Sequence, residues 1–173
     1  MAQRYKLSTK DKARIQSLLK KYHKLFPNLK CKGECLEHIV AKAIGGEGLG
    51  GHNKHSDIKI KNYFIQIKSG EINKGILTIS GHRLTRFRNN FSKINQFLSS
   101  IESVIISVPT KKKTFNYLIY EIDPCLLKPL KLWNKKGKSF YQINKKNVKL
   151  TIHPSMSWQV WWKIPIENLE NKI

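Results

Sequence analysis

Residues 56–69 read SDIKIKNYFIQIKS, with apolar residues on every second position on both sides of a Lys-Asn dipeptide. A period of two is the repeat of a strand, so this stretch predicts two strands folded back on each other. If Lys61 and Asn62 form a two-residue turn, the register is set and every cross-strand pair follows. Ile60 then faces Tyr63, Ile58 faces Ile65, and Asp57 faces Gln66. Side-chain alternation sends Ile58, Ile60, Tyr63, Ile65 and Ile67 to one side, and Asp57, Lys59, Phe64, Gln66 and Lys68 to the other. The Asp57 and Gln66 β-carbons should lie about 5 Å apart, with Lys68 next along the same side. A three-residue turn would shift the register by one and scatter the group. The polar side has two readings, a solvated hairpin surface and a site where an acid, a second oxygen donor and a lysine converge.

The flanking sequence supplies helices. Residues 8–25 place Ile15, Leu18, Leu19, Tyr22 and Leu25 at helical spacing behind Ser8 or Thr9 as N-cap. Residues 34–44 carry Leu36, Ile39, Val40 and Ala43 on one stripe and end at a Gly-Gly pair. The loop GGEGLGGHNKH lacks the Gly-Lys-Ser/Thr of a phosphate-binding P-loop, so no nucleotide cofactor is expected. A long helix is predicted from just after Ser80, with Leu84, Phe87, Phe91, Ile94 and Leu98 inward and Arg83, Arg86, Arg88 and Lys93 outward. SVIISVP reads as a strand buried on both faces, with FNYLIYEID as its neighbour. In the tail, KSFYQI, VKLTI and SWQVWWKIPI are candidate strands; Trp158, Trp161 and Trp162 are core, a dimer interface or a stacking surface. The element order predicts an α/β fold, a mixed β-sheet flanked by helices.

At 173 residues the chain is expected to form a single domain, 1–173. Its 33 Lys+Arg against 11 Asp+Glu leave a net charge of +22, which calls for a polyanion. Lysine-rich codon bias or a membrane-surface helix would also raise the charge. Because the excess is spread along the whole chain, a groove around nucleic acid fits better. There is no membrane-length apolar run and no apolar signal core at the N-terminus, which predicts a cytoplasmic protein with no membrane partner. Cys31, Cys35 and Cys125 are odd in number and make no disulfide framework. A zinc site from Cys31, Cys35, His52 and His55 is disfavoured by the spacing of the cysteines.

Asp57, a short strand, a turn and then Gln66-Ile67-Lys68 resemble the PD-(D/E)XK nuclease signature, with Ser56-Asp57 in the place of PD and QIK in the place of the (D/E)XK tripeptide. Residues 30–90 are similar to the catalytic half of PvuII-like type II restriction endonucleases, in which a helix, a glycine-containing loop, the catalytic hairpin and a histidine-bearing stretch follow in this order. The resemblance implies a restriction-endonuclease-like fold with its catalytic region at about residues 33–95, hydrolysing double-stranded DNA with Mg²⁺, for which Mn²⁺ can substitute. It makes Asp57 and Gln66 metal-binding side chains, the Ile67 carbonyl a further ligand, and Lys68 the group that orients or activates the attacking water. Glu37 resembles the helix glutamate that many members of the superfamily point at the metal, with Glu34 as the alternative.

Gln66 departs from the family's usual acid. It reads as a natural glutamine variant, as a substitution that traps uncleaved DNA, or as the mark of a catalytically dead relative. ISGHR resembles the segment that presents base-reading side chains, making Ser80, His82, Arg83 and Arg86 DNA-binding candidates; the alternative is a Ser80 helix cap followed by a phosphate-contacting turn. His153 lies near a second such segment. A homodimer would give each strand of a palindromic site its own active centre, with the N-terminal helix as the candidate contact. Rival expectations are a homing endonuclease or junction resolvase of the same fold, and a non-catalytic DNA-binding protein.

Overall fold

The computed structural model describes residues 4–50, 56–81, 91–110, 116–130, 133–136, 139–152 and 160–170. The chain is α/β and groups into two compact units: Met1–Ser69 with Ile101–Ile122, and Gly70–Ser100 with Asp123–Ile173.

Unit 1 begins with helix α1 (Thr9–Leu25). Ser8 caps it from an extended conformation. Its hydroxyl accepts the Asp11 N–H at 3.0 Å, and Asp11 Oδ2 accepts the Ser8 N–H at 3.2 Å, a capping box that satisfies two otherwise open donors. α1 buries Ile15, Leu19 and His23, and the His23 ring stacks on Tyr117 with 5.3 Å between centroids. Helix α2 (Glu34–Ile44) spans the residues expected and stops at Gly45, which takes the left-handed conformation at φ 72°. Ile15 and Leu19 join Leu36, Val40 and Ala43 of α2 in one core. The apolar stripe of α1 is therefore occupied inside unit 1, where only Leu25, 75 % exposed, is left largely in solvent.

After α2 the glycine-rich stretch contributes a two-residue strand, β1 (Glu47–Gly48), which pairs antiparallel with β2 (Ile58–Ile60). β2 and β3 (Tyr63–Asn73) form the hairpin in the expected register, Ile60 opposite Tyr63 and Ile58 opposite Ile65, around the Lys61–Asn62 turn with Lys61 at φ 52°. β3 runs parallel to β5 (Ser103–Pro109), which is antiparallel to β6 (Tyr117–Ile122), so the sheet of unit 1 is mixed, in the order β1-β2-β3-β5-β6. Ser103 to Val108 are all buried, as a continuous apolar run requires. Ile58, Ile65, Ile67, Ile105 and Tyr117 close the core against α1 and α2.

Two features of this core carry measurable consequences. A β-carbon on Gly46 would stand 2.7 Å from Ile58 Cγ2 and 3.2 Å from the Lys59 carbonyl oxygen, so the α2–β1 corner needs glycine. Gly46→Ala is expected to destabilise the protein by about 1–3 kcal/mol in urea unfolding; an unchanged midpoint would show that the corner yields freely. Desolvation, helped by the hydrogen bond and charge of Cys35, pushes the Cys31 thiol up to about 12 from 9.0. Burial, with the Asp11 and Glu121 carboxylates, pushes the Tyr5 hydroxyl up to about 12 from 10.0. The unfolded chain releases both protons first as pH rises. The stability these groups contribute is thus fully present below pH about 9 and lost as pH climbs to about 12. Urea midpoints measured from pH 8 upward should fall across that window; midpoints level to about pH 11 would contradict it.

Unit 2 starts within β3. Residues 70–73 turn back through Lys74 and Gly75, at φ 47° and 74°, into strand β4 (Ile76–Ser80). Positive φ at both turn positions is what a type I′ hairpin requires, and glycine meets one of them without strain. Helix α3 (Phe91–Ser99) buries Ile94 and Leu98, two residues of the expected stripe, and contacts a 3₁₀ turn at Pro124–Leu127. β7 (Trp133–Lys136), β8 (Ser139–Ile143), β9 (Lys149–Ile152) and β10 (Val160–Pro165) form an antiparallel meander that joins β4 through β10, and a short helix α4 (Glu167–Glu170) follows. Three of these strands match the expected tail segments. β7 does not, because WNKK has no apolar alternation. Trp162 is a core residue, 3 % exposed, pressed so close to Gly81 that a β-carbon there would meet its ring at 2.9 Å. Ser80 is the last residue of β4, opposite Trp161, and Gly81 N–H still donates to the Val160 carbonyl at 2.7 Å. It is a strand residue and not a helix cap, since the backbone that a cap would free is held in the sheet.

Candidate active site

Strand β2 stops at Ile58, but its pairing does not. Asp57 N–H donates to the Ile65 carbonyl at 3.2 Å, and the Asp57 side chain then takes over: Oδ2 accepts the Ile67 N–H at 2.8 Å and the Gln66 amide Nε2–H. The residues that the register set opposite each other are thus in direct contact. Asp57 is 2 % exposed and Gln66 3 % exposed, so this end of the polar face is interior and the solvated-hairpin reading does not hold for it. A carboxyl group so deep in protein needs hydrogen-bond partners, and the Ile67 N–H and the Gln66 amide are two of them. Toward the turn the face opens to solvent, and Lys59 lies over the ring of its cross-strand partner Phe64, 5.9 Å from the centroid.

Lys68 is half-buried and two residues beyond Gln66 on the same side of β3. In the parallel pairing Gln66 lies beside Val104 and Lys68 beside Ile106, both buried. The polar group is therefore flanked on the β5 side by buried apolar residues, beside which charge interactions are screened less than in water. The glycine-rich loop is tied to the same place, with Leu49 N–H donating to the Asp57 carbonyl at 2.9 Å.

Glu37, half-buried in the first turn of α2, lines a cleft of about 170 Å³ together with Glu34, His38, Gly48 and Gly50. Neither Asp57, Gln66 nor Lys68 lines it. The structure therefore joins Asp57, Gln66 and Ile67 in contact, keeps Lys68 on their face, and sets Glu37 and its alternative Glu34 in the lining of the cleft beside Gly48 and Gly50. His38 was not singled out by sequence reasoning. The signal was there, because it follows Glu34 by four residues and so shares its helix face. Ser80 belongs to unit 2, half-buried at the end of β4. His82, Arg83 and Arg86 lie outside the described residues, as do His52, His55, His153 and Trp158.

Among the described residues no group of three or more His, Cys, Asp and Glu side chains gathers as a metal site. Cys31 and Cys35 face each other with 3.3 Å between sulfurs, as free thiols. One observation fits a hard cation at the hairpin. Gln66 Oε1 is buried without a hydrogen-bond partner among the described residues, an open oxygen on a side chain whose other amide atom touches the Asp57 carboxylate. Oxygen ligands of this kind suit Mg²⁺, which needs only one or two carboxylates and keeps several waters. Among the described residues no helix is long and apolar enough to cross a membrane. Comparison with protein-family models, with curated proteins and with solved structures finds no match.

Proposed function

We propose that this chain is a sequence-specific double-stranded DNA endonuclease of the PD-(D/E)XK class, a type II restriction enzyme acting as a homodimer. The observation that carries the reading is the buried contact of Asp57 with Gln66, followed on the same strand face by Lys68. A net charge of +22 supplies the sequence-independent attraction to phosphates that such an enzyme needs.

Asp57, the Gln66 amide oxygen and the Ile67 carbonyl are the groups that would hold Mg²⁺, or Mn²⁺ in its place. When bound, the ion neutralises charge developing on the scissile phosphate and acidifies water. Lys68 donates hydrogen bonds to the attacking water and holds it in line with the phosphorus. Val104 and Ile106 keep bulk water from the β5 side of the site. Glu37 acts from the adjoining cleft, on the side of the glycine-rich loop. Ser80, His82, Arg83 and Arg86 contact the DNA and read its bases.

A second reading has its own observation. Gln66 already donates to Asp57, which leaves the site one negative charge poorer than a pair of acids, as in a DNA-binding protein that has lost cleavage. A homing endonuclease or junction resolvase shares the chemistry and differs in target. Titration with Mg²⁺ and Mn²⁺ in the presence of phage DNA separates these. The endonuclease reading expects a thermal shift on metal addition and discrete fragments on a gel. Retarded but uncut DNA with no metal shift would favour the binding protein, and preferential cutting of four-way junctions would favour the resolvase.

A further inference from the structure

Resting on the metal-dependent reading above, we propose that Gln66 stands in for the metal when the site is empty of it, and that its amide must turn over before a divalent cation is held. In the resting orientation Nε2 donates to Asp57 Oδ2, alongside the Ile67 N–H. That leaves Oε1 buried with no partner among the described residues, a costly arrangement for an amide oxygen. Half a turn of the amide exchanges the two atoms. Oε1 then faces the Asp57 carboxylate, a repulsive pairing of lone pairs that only a cation between them makes favourable. One side chain therefore has two discrete states, one matched to the metal-free carboxylate and one to the loaded site.

A glutamate at this position would hold two carboxylates together in the interior, a pair stable only when a cation is present. Glutamine trades metal affinity for a fold that stands without metal. The site should accordingly load only at millimolar Mg²⁺ and release it readily, which makes cleavage conditional on metal supply.

The test uses the full chain labelled with ¹⁵N-glutamine and ¹⁵N-isoleucine, the Gln66 side chain and Ile67 amide being assigned with Gln66→Met, and Mg²⁺ as the probe. In EDTA one Gln66 side-chain proton should resonate downfield and exchange slowly. Adding Mg²⁺ should abolish that signature and shift the Ile67 amide. Gln66→Glu should melt about 4 °C or more below the parent in EDTA, regain the loss in Mg²⁺, and bind Mg²⁺ at least about tenfold more tightly. Mg²⁺ binding that leaves the Gln66 and Ile67 signals unmoved would overturn the amide turn while leaving the metal site intact. Mg²⁺ binding to neither protein would overturn the metal-dependent reading itself, and the inference with it. If Gln66→Glu does not fold without metal, the spectra of the parent protein still decide.

Discussion

Replacing Asp57 by alanine is expected to abolish DNA cleavage and to destabilise the fold at the same time. Asp57 is 2 % exposed and its Oδ2 accepts both the Ile67 N–H and the Gln66 amide. Removing the carboxylate strands two buried donors, each costing about 1–3 kcal/mol. A loss of about 2–6 kcal/mol in urea unfolding follows, together with a fall in cleavage of at least about 10²–10³-fold, the scale for removing one group that supports transition-state charge. Asp57→Asn separates the two effects. Its amide oxygen still accepts the Ile67 N–H, so most of the stability should remain while the charge needed for a metal is gone. An Asp57→Asn protein that cuts DNA at the parent rate would remove Asp57 from the mechanism.

The second large effect is expected at Lys68. It is half-buried, next to Gln66 on the same strand face and beside Ile106. Lys68→Ala should reduce the cleavage rate by about 10²–10³-fold, the scale for removing one hydrogen-bond donor at the reacting centre, and change DNA affinity by less than about tenfold, because one phosphate contact among many contributes little to binding. Single-turnover cleavage and filter binding, run on the same duplex, give the two numbers. Lys68→Arg should recover little of the rate. Its guanidinium keeps the charge, but its planar fork presents donors in a different geometry from the compact ammonium. Equal losses in binding and cleavage would make Lys68 a DNA contact and not part of the chemistry.

How far the sequence reached can be judged at particular residues. The Asp57–Gln66 apposition was legible because a period of two and a two-residue turn leave only one register. The ends of α2 were legible because Gly33 and Gly45 bracket an uninterrupted apolar stripe. That the Asp57 end of the polar face is interior was not legible, because alternation says which side chains share a face and not what covers it. The β3–β4 hairpin was legible too, although the expected helix began only after Ser80 and residues 71–80 were given no element. The turn signal was Lys74-Gly75, flanked by the alternating ILTIS. The place of Glu37 could not be read at all. Its distance from Asp57 depends on the rotation of α2 over the sheet, which is set by how Leu36 and Val40 pack with Ile15, Leu19 and Ile58 in three dimensions. The net charge pointed to a polyanion without indicating which surface meets it.

Sequence-specific hydrolysis of duplex DNA leaves its mark in the ends of the fragments. The purified chain is incubated with phage DNA in Mg²⁺ and the ends of all products are sequenced on both strands. One recurring sequence, cut at symmetry-related positions on the two strands, is the predicted result. Intact DNA in Mg²⁺ and in Mn²⁺, or ends scattered without a shared sequence, would contradict it.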